Sequence, residues 1–158
     1  VSLGLNCLER NMDVRDCIDQ IFGQFSKKYQ LPLLKLNQEG IAALRFDEKL
    51  QVCCIFLQEQ ELLALQIDIA DLSEASEGIF RQLASFNGYW YQFNLHFGFD
   101  ETSLKIQLYS QITISNLTLD KLEHQLTSIL DHAEFWQELL CEPVKKAVYK
   151  GQFQGMKV

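Results

Sequence analysis

Residues 41–69 read IAALRFDEKLQVCCIFLQEQELLALQIDI, and how this stretch is read decides the fold. Three apolar runs, 41–46, 50–57 and 62–69, are separated by the short polar segments DEK and QEQ. Runs of this length, rich in Ile, Leu, Val and Phe and bounded by tight polar turns, predict antiparallel hairpins. In the third run Leu63, Leu65, Ile67 and Ile69 share one face, while Gln66 and Asp68 lie on the other, so that side meets water. The second run is apolar on both faces: Val52, Cys54 and Phe56 against Cys53, Ile55 and Leu57. It is expected to be a central strand covered on both sides.

On the N-terminal side, Val14, Ile18, Ile21, Phe22, Phe25 and Tyr29 recur at spacings of three and four. This is the single apolar stripe of an amphipathic helix over 13–29, with Asn11 or Asp13 as cap and Gly23 as a weak point. A connection with a turn at 37–40 leads into the first strand. On the C-terminal side, 73–87 reads as a short helix capped by Ser73 and interrupted by Gly78. The stretch GYWYQFNLHFGF at 88–99 alternates from Tyr89, with Tyr91, Phe93, Leu95 and Phe97 on one face and Trp90, Gln92, Asn94 and His96 on the other. That period of two predicts a half-buried strand. After the turn GFDETS, 104–114 is its partner, with Leu104, Ile106 and Leu108 on one face.

The last helix follows Thr118 as cap, with Leu117 and Leu122 placed to form a hydrophobic staple. Its stripe is Leu119, Leu122, Leu126, Ile129, Leu130, Ala133, Trp136 and Leu140. Six acidic residues, Asp120, Glu123, Asp131, Glu134, Glu138 and Glu142, face Lys121 alone, so the outer side is acidic. Pro143 ends the helix. The predicted order is α-β-β-β-α-β-β-α: an α+β fold with an antiparallel twisted sheet of about five strands and three helices. One domain is expected over 1–142, followed by a basic C-terminal tail, 143–158, mobile at its end.

The chain has 158 residues, enough for one core, and a net charge of −7 from 14 basic and 21 acidic side chains. Phosphate binding needs Lys and Arg, so the balance disfavours nucleic acid. The aromatic stretch 88–99 contains neither Lys nor Arg, which argues against a base-stacking platform. The start lacks a signal-peptide pattern and no apolar run is long enough to insert in a membrane. Five cysteines, Cys7, Cys17, Cys53, Cys54 and Cys141, form no CxxC pair, which fits reduced cytoplasmic thiols and no disulfide framework or zinc site.

No catalytic signature appears: no GxSxG, phosphate-binding glycine loop, HExxH or dinucleotide fingerprint. His96 falls in a polar row with Gln92 and Asn94. His124 and His132 are two helical turns apart, too far for a shared metal. Asp68 and Asp71 read as strand-end acids. Two sheet faces and an aromatic strand exceed what three helices can cover, which points to dimerisation, peptide capture or both. A small-ligand carrier or enzyme with a pocket beneath the aromatic strand, and a structural adaptor, are the competing readings.

The helix order, together with IAALRFDEKLQVCCIFL, LASFNGYWYQFNLHFGFDETSLKIQLYSQITI and TLDKLEHQLTSILDHAEFWQELL, resembles the class I type III secretion chaperones, the Tir-chaperone-like effector chaperones. The resemblance spans about 11–140; the basic tail and the aromatic density at 89–93 depart from it. It implies a cytoplasmic homodimer without enzymatic activity or cofactor, which binds the N-terminal segment of a secreted effector and keeps it extended for export. The export ATPase is a candidate contact of the tail. The dimer interface is then expected at Ile79, Phe80, Leu83, Trp90 and Tyr91, and the client surface at Phe22, Phe25, Leu44, Phe46 and Ile55.

Overall fold

The computed structural model describes residues 13–74 and 76–141. Helix α1 spans Val14–Lys28. Strands β1 (Ile41–Arg45), β2 (Gln51–Leu57) and β3 (Leu62–Asp71) follow. Helix α2 (Glu77–Asn87) and a one-turn helix α3 (Trp90–Phe93) precede β4 (His96–Asp100) and β5 (Lys105–Thr113). Helix α4 (Leu119–Cys141) closes the order. The five strands form one antiparallel sheet ordered β1-β2-β3-β5-β4. The predicted α+β architecture is therefore the observed one, with one short helix added. The basic tail lies outside the described residues.

Local chemistry explains the helix ends. Asp13 caps α1, its Oδ1 accepting from the Arg15 N–H at 3.3 Å. Thr118 Oγ1 accepts from the Lys121 N–H at 3.1 Å at the start of α4, and the stapling residues Leu117 and Leu122 are both fully buried. Helix α2 begins later than expected. Its cap is Ser76 rather than Ser73, which sits in a 3₁₀ turn over Leu72–Glu74. Gly78 thus falls in the first turn, where its low helix propensity does little harm.

The core lies between the helices and one face of the sheet. Ala42 and Leu44 of β1, Val52 and Cys54 of β2, Leu63, Leu65, Ile67 and Ile69 of β3, and Ile106, Leu108 and Ile112 of β5 are all buried there. Phe86 of α2 is its aromatic centre. Its ring lies 5.6 Å from Phe93, 5.3 Å from Phe97 and 5.8 Å from Trp136. Each such side chain contributes about 1.5–3 kcal/mol by burial. The segment between α1 and β1 is tied to α1 by polar side chains. Ser26 Oγ accepts from the Leu34 N–H at 2.9 Å, and Asp19 Oδ1 accepts from the Leu36 N–H at 2.8 Å.

Two expectations fail. Residues 89–95 are not strand. The chain turns through α3 and reverses at Asn94, whose φ of 52° is left-handed, before β4 begins at His96. Leu95 and Phe97 do reach the core, but Phe93 packs against it from a helix and Tyr91 is exposed. Likewise β2 is next to an edge strand and is covered on one face only. Cys53 and Ile55 are half-buried on the other face and Leu57 is exposed.

Candidate partner-binding surface

The strand registers define what the sheet presents on the side away from its core. One row runs Leu57, Leu62, Thr113; the next runs Ile41, Ile55, Ala64, Gln111; the third runs Ala43, Cys53, Gln66, Tyr109, His96. The first three strands thus contribute a partly exposed apolar patch and the last two a polar one. This follows from the sequence: alternation puts the strongly apolar set of β3 inward, while β2 has no polar set to turn outward.

The polar half is fixed by a chain of side chains. The Tyr109 hydroxyl donates to Gln107 Oε1, and Gln107 Nε2 donates to Asp68 Oδ1 at 2.8 Å. The His96 ring stacks on Tyr109 at 5.3 Å with an interplanar angle of 21°. Gly98 makes room for that ring, since a Cβ there would lie 2.7 Å from Tyr109 Cε2. Partial burial raises the Tyr109 pKa above the ordinary phenol value, with smaller contributions from the charges of Asp100 and Asp68. Partial burial lowers that of His96. Asp71 pairs with Lys105 at 2.6 Å, and Asp68 is occupied by Gln107, so the two carboxylates do not form a dyad.

A second apolar region lies outside the sheet. Trp90 and Tyr91 on α3 are 59% and 64% exposed. Phe80 of α2 meets the exposed Phe99 of β4 edge-on at 5.2 Å. Of the residues expected at a dimer interface, Trp90 and Tyr91 are exposed and Phe80 is half-buried against the core, whereas Ile79 and Leu83 are buried in this chain's own core. Of the residues expected to meet a client, Phe46 is 41% exposed and Ile55 is half-buried, whereas Phe22, Phe25 and Leu44 are core. Periodicity finds apolar residues without telling which layer covers them. Tyr29 and Leu57, expected on a helix stripe and a covered strand face, are exposed, as is Leu33, which no local signal in the sequence marks.

Two clefts flank the sheet. One, of about 610 Å³, is lined mainly by polar residues including Asp47, Lys49, Asp71, Lys105, Glu134 and Glu138. The other, of about 720 Å³, lies by the start of α1 and includes Arg15, Glu39, Phe56, Glu61 and Ile114. Neither is lined by any residue of 88–99. Among the described residues no His, Cys, Asp or Glu group could hold a metal ion. His132 Nδ1 lies 2.8 Å from the Ser128 carbonyl, within its own helix. Among the described residues no helix is long and apolar enough to cross a membrane.

The chain is similar to proteins whose structures are known in complex with another protein. It is 48% identical over 138 residues to the transcriptional anti-antiactivator ExsC of Pseudomonas aeruginosa, covering 87% of this chain and 95% of that protein. A chain of the crystal structure of the ExsC–ExsE complex superposes with a TM-score of 0.76 at 48% identity, over 82% of this chain and 97% of that one. A chain of the HopA1–SchA chaperone–effector complex shares the fold at 17% identity, with a TM-score of 0.68 over 77% of this chain and 93% of that one. The Tir chaperone protein (CesT) family model matches residues 20–137, which takes in α4 up to its last turn, the whole sheet and most of α1. With that much of the fold matched, and a relative at 48% identity over nearly its full length, this chain belongs to the Tir chaperone protein (CesT) family, a family of type III secretion chaperones.

Proposed function

We propose that this chain binds an extended N-terminal segment of a protein carried by a type III secretion system and keeps it export-competent in the cytoplasm. The observation that carries this reading is the one-sided sheet: helices bury one face, while Ile41, Ile55, Leu57, Leu62 and Ala64 leave an apolar patch on the other. An extended segment orders on binding and so must cover a large apolar surface to offset the lost entropy. Phe46 and Ile55 are the client residues of the expected set that such a segment can reach.

The relative in the ExsC–ExsE complex makes an ExsE-like protein the first partner to test. The name anti-antiactivator supports a second, regulatory reading, in which the bound protein opposes a transcription activator and its capture restores transcription. We further assign Trp90, Tyr91 and Phe80 to the contact between two copies of the chain. The competing small-ligand reading loses weight because the clefts near the sheet are open and lack a nucleophile–base set.

The test is calorimetric titration of the chain with the ExsE of that complex at several temperatures. Binding with a negative heat-capacity change is the expected result, because apolar surface is buried. Absence of binding, with a small molecule co-purifying instead, would overturn the reading.

A further inference from the structure

Helix α4 ends on the wrong charge for its dipole. The carbonyl end of a helix carries partial negative charge and is stabilised by cations within its last turn. The last turn of α4 holds no basic residue and does hold Glu138, with Glu134 one turn earlier. Both carboxylates are exposed, and among the described residues neither is in an ion pair.

The same end of α4 forms one side of the cleft of about 610 Å³. Gln137 ties it to the strand side, its Nε2 donating to the Lys49 carbonyl at 3.3 Å and to the Asp68 carbonyl at 3.4 Å. Buried Leu50, Ile69 and Ala70 give the cleft an apolar floor. Its rim carries Asp47, Asp68 and Asp71 from the strand side and Glu134 and Glu138 from α4, against Lys49 and Lys105. Lys105 is held by Asp71 at 2.6 Å. The cleft is thus a groove with an apolar floor and an acidic rim.

The sequence continues from this groove with a segment of the opposite charge. Cys141, the last described residue, is four residues beyond Gln137, about 6 Å along the helix axis. Residues 143–158 contain four lysines, Lys145, Lys146, Lys150 and Lys157, and no Asp or Glu. Val144, Val148 and Tyr149 are interleaved with the first three. Fully extended, 143–150 covers about 26 Å, enough to cross the groove.

We propose that the groove is the docking site of the chain's own segment 144–150. The segment turns back after Pro143, which interrupts helical hydrogen bonding. It sets its lysines against the acidic rim and lays Val148 and Tyr149 toward the floor. It thereby supplies the cations that the end of α4 lacks, and it links α4 to the turn between β1 and β2 that carries Asp47. The inference does not depend on the partner-binding reading.

The test is zero-length carbodiimide coupling of the full chain at about 0.05 M and about 0.5 M salt. Products are read by peptide mass spectrometry on an equal mixture of unlabelled and nitrogen-15-labelled chains. Coupling to Glu138 follows from closeness in sequence, so the informative products join Lys145, Lys146 or Lys150 to Asp47 or Asp68. These are expected within one chain at low salt and reduced by about fivefold or more at high salt. Lys145→Gln, Lys146→Gln and Lys150→Gln combined should lower the thermal midpoint by about 2 °C at low salt and by less than about 1 °C at high salt. Glu138→Gln should then raise the midpoint of that triple variant by about 1 °C and leave that of the parent level or lower, because only the triple variant leaves the carboxylate uncompensated. Products across the groove that join different chains would give it to a second copy and overturn the proposal. Coupling confined to α4, or a triple variant that melts with the parent at both salts, would overturn it as well.

Discussion

At the scale of single residues, burial separates side chains that the sequence leaves equivalent. Phe25 and Phe46 were both expected to meet a client, yet Phe25 is 4% exposed, in the same core cluster as Leu34 and Leu36, and Phe46, just after β1, is 41% exposed. Phe25→Asp should therefore leave no folded protein, because an unpaired carboxylate in that layer costs about 4 kcal/mol or more. Phe46→Asp should melt within about 2 °C of the parent and bind ExsE about tenfold more weakly. A folded Phe25→Asp variant in circular dichroism would contradict this layering. The thiols divide in the same way. Burial, with a smaller contribution from neighbouring Cys53, pushes the Cys54 thiol up to about 12, and Cys17 is fully buried. With Cys7 and Cys141 replaced by Ser, the native chain should offer Ellman's reagent one thiol, Cys53, and the denatured chain three. More than one fast thiol in the native state would place Cys54 or Cys17 within reach of solvent. Alternation located these cysteines on opposite faces; the missing information was that one of the two faces has no helix over it.

At the scale of elements, the hairpin meander and the two long helices are legible because their signals are redundant. Period, cap and staple agree at α4, and the turns DEK and QEQ agree with the apolar runs they separate. The stretch 88–99 is not redundant. Its alternation of aromatics satisfies a strand from Tyr89, but Asn94 takes a left-handed conformation and breaks the chain into α3 and β4. Asparagine tolerates that region, and its Nδ2 donates to the Gln111 carbonyl at 2.6 Å, pinning the reversal to β5. A single Asn between aromatic residues carries no decisive signal in one sequence, so the reversal was not legible. It can be tested directly. Asn94→Val forces a β-branched residue into φ > 0 and should destabilise the chain by about 2 kcal/mol in urea unfolding. Asn94→Gly keeps the conformation, loses the side-chain bond and should cost less than about 1 kcal/mol. Equal losses would mean that the bond to Gln111, and not the backbone conformation, holds the turn.

At the scale of the whole molecule, two large apolar surfaces coexist with a net charge of −7, and the two features act against each other in self-association. Like-charged copies repel over roughly 8–10 Å at physiological salt, so a dimer forms only through a contact whose apolar burial exceeds that repulsion. Trp90 and Tyr91, edge-on to one another at 6.1 Å and projecting from α3, are the large exposed aromatics that can fill such a contact. An isologous interface presents the same patch from both copies, so one substitution acts twice. Trp90→Glu should accordingly convert the proposed dimer to monomer in sedimentation equilibrium, with an unchanged far-ultraviolet spectrum, because Trp90 makes no contribution to the buried core. Salt distinguishes the causes. Raising ionic strength from about 0.05 M to 0.5 M should tighten the proposed dimer of the parent chain by screening the net charge. It should not restore the Trp90→Glu dimer, whose defect is an aromatic anchor lost and a carboxylate desolvated rather than long-range repulsion. A Trp90→Glu chain that still sediments as a dimer would move the interface away from α3 and leave the aromatic pair free for the secreted partner.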